Sequence, residues 1–170
     1  MPSGDTFSML PVKHLLKRWL KIGDVIVDPF ARNSKIATYT NDLNPDTAAE
    51  YHLEASDFCD LLIKQNVVAD VVLFDPPYSP RQISELYSQI GKKCTTKTTQ
   101  NSALYKSVRD RLDSLLRSGG IAISFGWNSS GFGLGRGYSI QEIRLIAHGG
   151  AHNDTIVVVE QKNGMQGRYN

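Results

Sequence analysis

Four consecutive residues, Asp75, Pro76, Pro77 and Tyr78, join an acceptor-only carboxylate to two fixed backbone units and a flat aromatic face. This set suits one difficult task, the orientation of an amine whose lone pair is delocalised into an aromatic ring. Such an amine is a poor nucleophile until its two hydrogens are held so that the lone pair points at an electrophile. The Asp75 carboxylate can accept one hydrogen and the Pro76 carbonyl the other, while the paired prolines remove N–H donors that would compete. Tyr78 offers a face on which a base swung out of a helix can stack. What is left of the barrier is positioning of the amine against the group it attacks.

A tetrapeptide of this kind needs a rigid support, and the run before it supplies one. Asp70 to Phe74 is apolar, rich in β-branched residues and ends directly at Asp75, the pattern of a buried parallel strand. Other carboxylates stand in equivalent places. Asp28 closes the short apolar run from Asp24, and Asp42 follows a strand expected over Ile36 to Asn41, with Asn44-Pro45 breaking the chain behind it. A short strand near Tyr51 to Leu53 precedes Asp57. Ligands of open α/β sheets bind beyond the carboxyl ends of parallel strands, so these four carboxylates fall along one edge. A carboxylate after the second strand can also accept both hydroxyl hydrogens of a ribose.

The other elements follow from periodicity. Residues 9 to 20 space apolar groups on one helical face, with Pro11 in the first turn, and Ser56 is a plausible N-cap for a helix through about Gln65 whose Phe58, Leu61 and Leu62 face inward. Helical spacing returns over Arg81 to Ile90 and over Ser102 to Arg117, the latter ending at Gly119-Gly120. Strands are expected at Ile121 to Phe125, Ile140 to Ala147 and Thr155 to Glu160, with an irregular glycine-rich stretch from Gly126 to Gly137. Only fourteen steps separate Asp28 from Asp42, so the helix between them is expected to be truncated, with Asn33 in a left-handed turn. The alternation is that of a layered α/β domain with a mostly parallel sheet.

Asp75-Pro76-Pro77-Tyr78 resembles the catalytic motif of the amino-methyltransferases of DNA. Together with Ser79-Pro80-Arg81-Gln82, Asp28-Pro29-Phe30-Ala31 and Asn41-Asp42-Leu43-Asn44-Pro45, it makes the chain similar, from roughly residue 7 to residue 160, to small phage-borne adenine-specific DNA methyltransferases. The resemblance implies a Rossmann-like class I methyltransferase fold, a seven-stranded mixed sheet with helices on both faces, and transfer of methyl from S-adenosylmethionine to adenine N6 in DNA. By the same resemblance Asp75, Pro76, Pro77 and Tyr78 are catalytic, and Asp28, Pro29, Phe30, Ala31, Leu43 and Phe58 line the cofactor site. Asp42 would bind the cofactor ribose, Asp57 would meet its adenine amine, and Phe7 and Pro11 would close over its methionine portion. In that fold the last two strands form a hairpin whose connection, carrying His148 and His152, lies on the Asp75 side. With Trp127, Asn128, Arg81, Lys92 and Lys93 it would form the substrate wall. The glycine-rich turn usual after the first strand is replaced by Ala31-Arg32-Asn33-Ser34.

At 170 residues the chain suits one catalytic domain over 1–170, with a mobile basic loop at 91–101, a flexible tail at 161–170 and no separate target-recognition domain. Apolar residues make up 41% and charged residues 21%, which excludes a wholly disordered chain. A net charge of +2 leaves attraction to nucleic acid to local clusters such as Lys92, Lys93 and Lys97. No apolar run is long enough for a membrane span and no secretory leader is evident, so a cytoplasmic location is expected. Cys59 and Cys94 lack metal-ligand spacing, and two histidines on a glycine-rich hairpin are no metal site. The expected partner is nucleic acid, DNA first, with a homodimer or a separate recognition subunit as further possibilities. The alternatives in function are cytosine N4, adenine in RNA, or a catalytically silent module that keeps the fold.

Overall fold

The computed structural model describes residues 6–77, 84, 87, 88, 91, 101–148 and 153–164. Its frame is a six-stranded mixed sheet in the order β2-β1-β3-β4-β6-β5, formed by β1 (Ile26–Asp28), β2 (Tyr39–Thr40), β3 (Ala69–Phe74), β4 (Leu116–Gly126), β5 (Tyr138–Ile146) and β6 (Thr155–Lys162). The first four strands pair in parallel, and β6 inserts antiparallel between β4 and β5. Among the described residues, α1 (Leu10–Trp19) covers one face of the sheet, and α2 (Ala55–Lys64) and α3 (Asn101–Leu115) cover the other.

Strand alternation divides the core in two. Val71 and Leu73 of β3 and Ile123 of β4 point toward Val12, Leu15 and Leu16 of α1. Val72, Phe74 and Ala122 point the other way, toward Phe58 and Leu62 of α2 and Val108 and Leu112 of α3. Cys59 is buried within that second layer, where burial pushes its thiol up to about 12 and leaves it unreactive. Lys162 closes the end of α3 by donating from Nζ to the carbonyls of Asp113 (2.5 Å) and Leu116 (3.0 Å).

Several expected boundaries are corrected. The strand predicted over Ile36 to Asn41 is only Tyr39–Thr40, because the Thr38 hydroxyl takes the Ile26 N–H at 3.0 Å and pre-empts the ladder there. No helix forms between β1 and β2, and the left-handed residue in that stretch is Arg32 (φ 52°), not Asn33. Asn33 instead accepts the Ala48 N–H on its side-chain oxygen at 2.9 Å. Ser56 is no cap: α2 starts at Ala55 after Glu54, whose carboxylate accepts the Tyr87 hydroxyl at 2.9 Å. Helix α3 stops at Leu115, so Gly119 and Gly120 lie within β4. Strand β6 runs through Gln161 and Lys162, where the tail was expected to fray.

The expected seventh strand near Tyr51 is reduced to one parallel bridge, Asn41 to Tyr51. A side chain replaces the rest of its ladder. The Asn41 amide accepts the Leu53 N–H (2.9 Å) and donates to the carbonyls of Leu53 (3.0 Å) and Pro29 (3.1 Å), tying the outer chain to the turn after β1. Asn41→Ala leaves the buried Pro29 carbonyl without its partner and the part-buried Leu53 N–H and carbonyl to water, and is expected to cost about 1–3 kcal/mol in urea denaturation. Asn41→Asp should restore little of it, since a carboxylate cannot donate to Pro29 or Leu53.

Candidate active site

Three carboxylates converge where β1, β2 and β3 end. Asp28, the last residue of β1, is fully buried; one oxygen accepts the Phe30 N–H at 3.0 Å and the other, Oδ2, has no partner among the described residues. Burial pushes its carboxyl up to about 8, against the pull of the Phe30 N–H and with added repulsion from Asp75 and Asp42. Asp42 follows β2 and is also buried. Its oxygens accept the N–H groups of Asn44 (2.9 Å) and Arg32 (3.2 Å), and burial nonetheless raises it above the usual carboxylate range. Each Asp42 oxygen keeps a lone pair for a further donor.

The segment between them is a folded turn. Ala31 is buried and its N–H reaches the Asn41 carbonyl at 2.8 Å, while the Asn41 N–H reaches the Asp28 carbonyl at 2.9 Å. Pro29 is buried, Phe30 is half-buried with its ring edge-on to Phe74 (5.8 Å between centres), and Leu43 packs at the rim of the core. Asp57 is exposed in the first turn of α2, where a carboxylate suits the helix N-terminus.

Two expected cofactor residues are placed elsewhere by packing. Phe58 is fully buried against Tyr51 (5.4 Å between ring centres) and has no surface to offer a ligand; its inward helical position decides its role. Phe7 is buried edge-on to Phe125 (5.3 Å) and supports the sheet end from below. Pro11 is exposed at the start of α1.

On the other side of Asp75 a groove of about 330 Å³ opens between the β3 and β4 ends and α3, walled by Pro76, Pro77, Phe125 and Trp127. The Tyr105 hydroxyl donates to the Pro77 carbonyl, the anchor that a proline backbone lacking N–H groups still permits. Burial drives the Tyr105 phenol above its ordinary value, so it stays a donor. Trp127 is 43% exposed and Asn128 turns the chain by accepting the Ser130 N–H at 3.1 Å. His148 is held at the same sheet end, its ring nitrogen 2.8 Å from the Thr155 hydroxyl. Tyr78, Arg81, Lys92, Lys93 and His152 lie outside the described residues, as does the expected loop except for Gly91 and Asn101. Among the described residues no group of three or more His, Cys, Asp and Glu is placed to hold a metal, and no helix is long and apolar enough to cross a membrane.

Sequence reasoning missed Arg109, Ser124 and Gly131 of this wall and the Glu160 that holds its loop. Arg109 donates to the Gly131 carbonyl at 2.8 Å, and Ser124 lines the groove floor. Glu160 of β6 is buried and accepts the N–H groups of Phe132 (2.6 Å) and Gly133 (2.9 Å), fixing the loop after β4. Gly131 is required there: its φ is +49°, and a Cβ would lie 2.1 Å from a Glu160 oxygen. The available signals were an arginine on the inner stripe of α3, one turn after Tyr105, and a glutamate on the buried side of an apolar strand.

No family model and no curated protein matches the chain. Solved structures do. TrmN from Thermus thermophilus superposes with a TM-score of 0.59 at 18% identity, covering 95% of this chain and 51% of that one. SMU.776, solved with S-adenosylhomocysteine (SAH), gives 0.60 at 15%, covering 89% and 48%. An rRNA methylase from Streptococcus thermophilus gives 0.53 at 8%, covering 89% and 93%. The chain thus spans about half the length of the first two, and its fold is the Rossmann-like methyltransferase fold.

The buried carboxyl of Asp28 makes stability pH-dependent. The folded state holds this proton up to about 8, whereas the unfolded chain releases it near 3.8, so the folded state binds more protons in between. Stability is therefore expected to fall as pH rises from about 4 and to level off above about 8. Asp28→Asn should be the more stable protein at the alkaline end by several kcal/mol, and the gap should close toward the acid end in denaturation midpoints.

Proposed function

We propose that the chain is an S-adenosylmethionine-dependent methyltransferase acting on the N6 amine of adenine in DNA. The observation that carries this reading is the placement of Asp75-Pro76-Pro77 between buried carboxylates on one side and an aromatic-walled groove on the other. S-adenosylmethionine supplies an electrophilic methyl on a sulfonium.

The residues present fit such a cofactor. The Asp28 oxygen without a partner would receive an approaching donor or cation as the carboxyl gives up the proton it otherwise holds up to about 8, and the free lone pairs of Asp42 suit a ribose diol. Half-buried Phe30 and Leu43 offer apolar surface beside them. Asp57, exposed at the start of α2, is within the same edge and is assigned to the adenine amine of the cofactor. The complex of SMU.776 with SAH supports an adenosyl ligand on this fold.

The reaction then falls to positioning. Asp75 accepts one hydrogen of the amine and the Pro76 carbonyl accepts the other, which turns the nitrogen lone pair out of the ring. Tyr105 holds the Pro77 carbonyl and so the orientation of the turn. Tyr78 and Trp127 are assigned to stacking on the base and its neighbour. The cofactor, when bound, would supply the methyl and leave as the neutral thioether, and the proton shed by the methylated nitrogen would be held at an Asp75 oxygen before passing to water. Asn128 and His148 complete the wall, and Arg81, Lys92, Lys93 and His152 are assigned to the nucleic acid backbone.

Incubation of the protein and cofactor with DNA and with RNA, followed by nucleoside mass spectrometry, is expected to yield N6-methyldeoxyadenosine. Asp75→Ala should lower its rate by at least ~100-fold with cofactor affinity retained in calorimetry. Product on cytosine N4 or only in RNA would replace the substrate named here, and a folded protein that binds no cofactor at millimolar concentration would end the enzyme reading.

A further inference from the structure

The groove beside Asp75 contains two polar groups that the reaction above does not use. The guanidinium carbon of Arg109 sits 5.4 Å from the centre of the Phe74 ring, with Nη1 bound to the Gly131 carbonyl (2.8 Å) and Nε to that of Tyr105 (3.4 Å). No carboxylate forms an ion pair with it among the described residues. Asp110 is taken by Arg136 at 2.7 Å, and both Glu160 oxygens are taken by backbone N–H groups. The result is a half-buried cation whose Nη2 has no hydrogen-bond partner among the described residues.

Ser124 is the second group. It lies beside Phe74 in the β3–β4 register and lines the groove, and it is 7% exposed. Its hydroxyl has no partner among the described residues. An orphan hydroxyl and a partly desolvated guanidinium with an open donor stand on one wall, and one hydrogen-bonding ligand would satisfy both.

The location selects the ligand. Prolines, Phe125 and Trp127 supply flat apolar surface beside the polar Tyr105, Asn128 and Ser130, and the volume of about 330 Å³ is at the small end of ligand clefts, with room for one planar ring. We infer that Arg109 and Ser124 read the ring edge of the target base, Arg109 donating to a ring nitrogen while Asp75 holds the exocyclic amine. This rests on the function proposed above and makes the site selective for a base that carries an acceptor near its amine. Because the guanidinium is pinned by Phe74 and Gly131, it is positioned before the base arrives.

The test pairs enzyme and substrate edits. Oligonucleotides carrying adenine, 1-deazaadenine or 7-deazaadenine at the target are bound to the protein with SAH present, so that binding is read without turnover, and are then methylated with the true cofactor. For the parent protein one deaza base should raise both Kd and KM by roughly 10- to 100-fold. Arg109→Met should weaken adenine to that level and abolish the difference between adenine and that deaza base. Ser124→Ala should raise KM while the melting temperature stays equal or rises, since it removes an unsatisfied group. This second variant, with the deaza penalties of the parent protein, decides the matter if Arg109→Met does not fold. Equal losses on all three oligonucleotides, or no deaza penalty in the parent, would overturn the inference and leave Arg109 as a prop for the Gly131 loop. Coupled binding without any methylation would instead overturn the proposed reaction and leave the edge reading intact.

Discussion

The candidate site is organised around the ring of Phe74. It meets Phe30 from the turn after β1, Tyr105 and Arg109 from α3, and Phe132 from the loop after β4, with ring centres 5.8 to 6.1 Å apart. These edge-to-face contacts contribute roughly 0.5–1.5 kcal/mol each beyond the area they bury. Their greater effect is geometric. Asp75 is the next residue, and the prolines after it cannot donate hydrogen bonds. It is clamped at one end by the packing of Phe74 and at the other by Tyr105 on the Pro77 carbonyl. The carboxylate side and the groove side therefore share a single pivot.

That pivot sits in an electrostatically unfavourable place. Asp28 and Asp42 are both shifted upward, chiefly by burial, and Asp75 adds repulsion to Asp28. Carboxylates gathered and shifted in this way at one sheet end are a pattern common at functional sites. The structure offsets the cost with backbone donors to Asp42 and with the Asn41 amide, which ties the turn after β1 to the chain beyond β2. Site and scaffold are thus coupled through one buried amide. The two helices on the groove face are joined separately, with Arg111 of α3 reaching Asp60 of α2 at 2.8 Å.

What the sequence revealed and what it hid follow from how each feature is encoded. The Asp70 to Asp75 segment was legible because an apolar run and its terminal carboxylate are covalently adjacent, and the fold class followed from the order of such runs. The short β2 and the vanished seventh strand were not, because the Thr38 hydroxyl and the Asn41 amide perform backbone pairing that no periodicity reports. Asn33 has the right propensity for a left-handed turn, yet Arg32 adopts it, since the register between Asp28 and Asp42 determines which residue must bend. Phe58 satisfied both an inward helical position and a motif position, and packing chose the first. Arg109, Ser124 and Glu160 come from α3, β4 and β6, far apart in the chain, and only tertiary structure places them around one groove.

Gly131 and Glu160 give the fold a particular evolutionary constraint. Any side chain at 131 collides with the Glu160 carboxylate, while shortening Glu160 deprives the Phe132 and Gly133 amides of their acceptor. Neither position can drift alone without loss, so the two form an epistatic pair. Descendants of this sequence are expected to keep both residues or exchange both together, and the groove wall they hold should vary in its exposed residues long before it varies in its path.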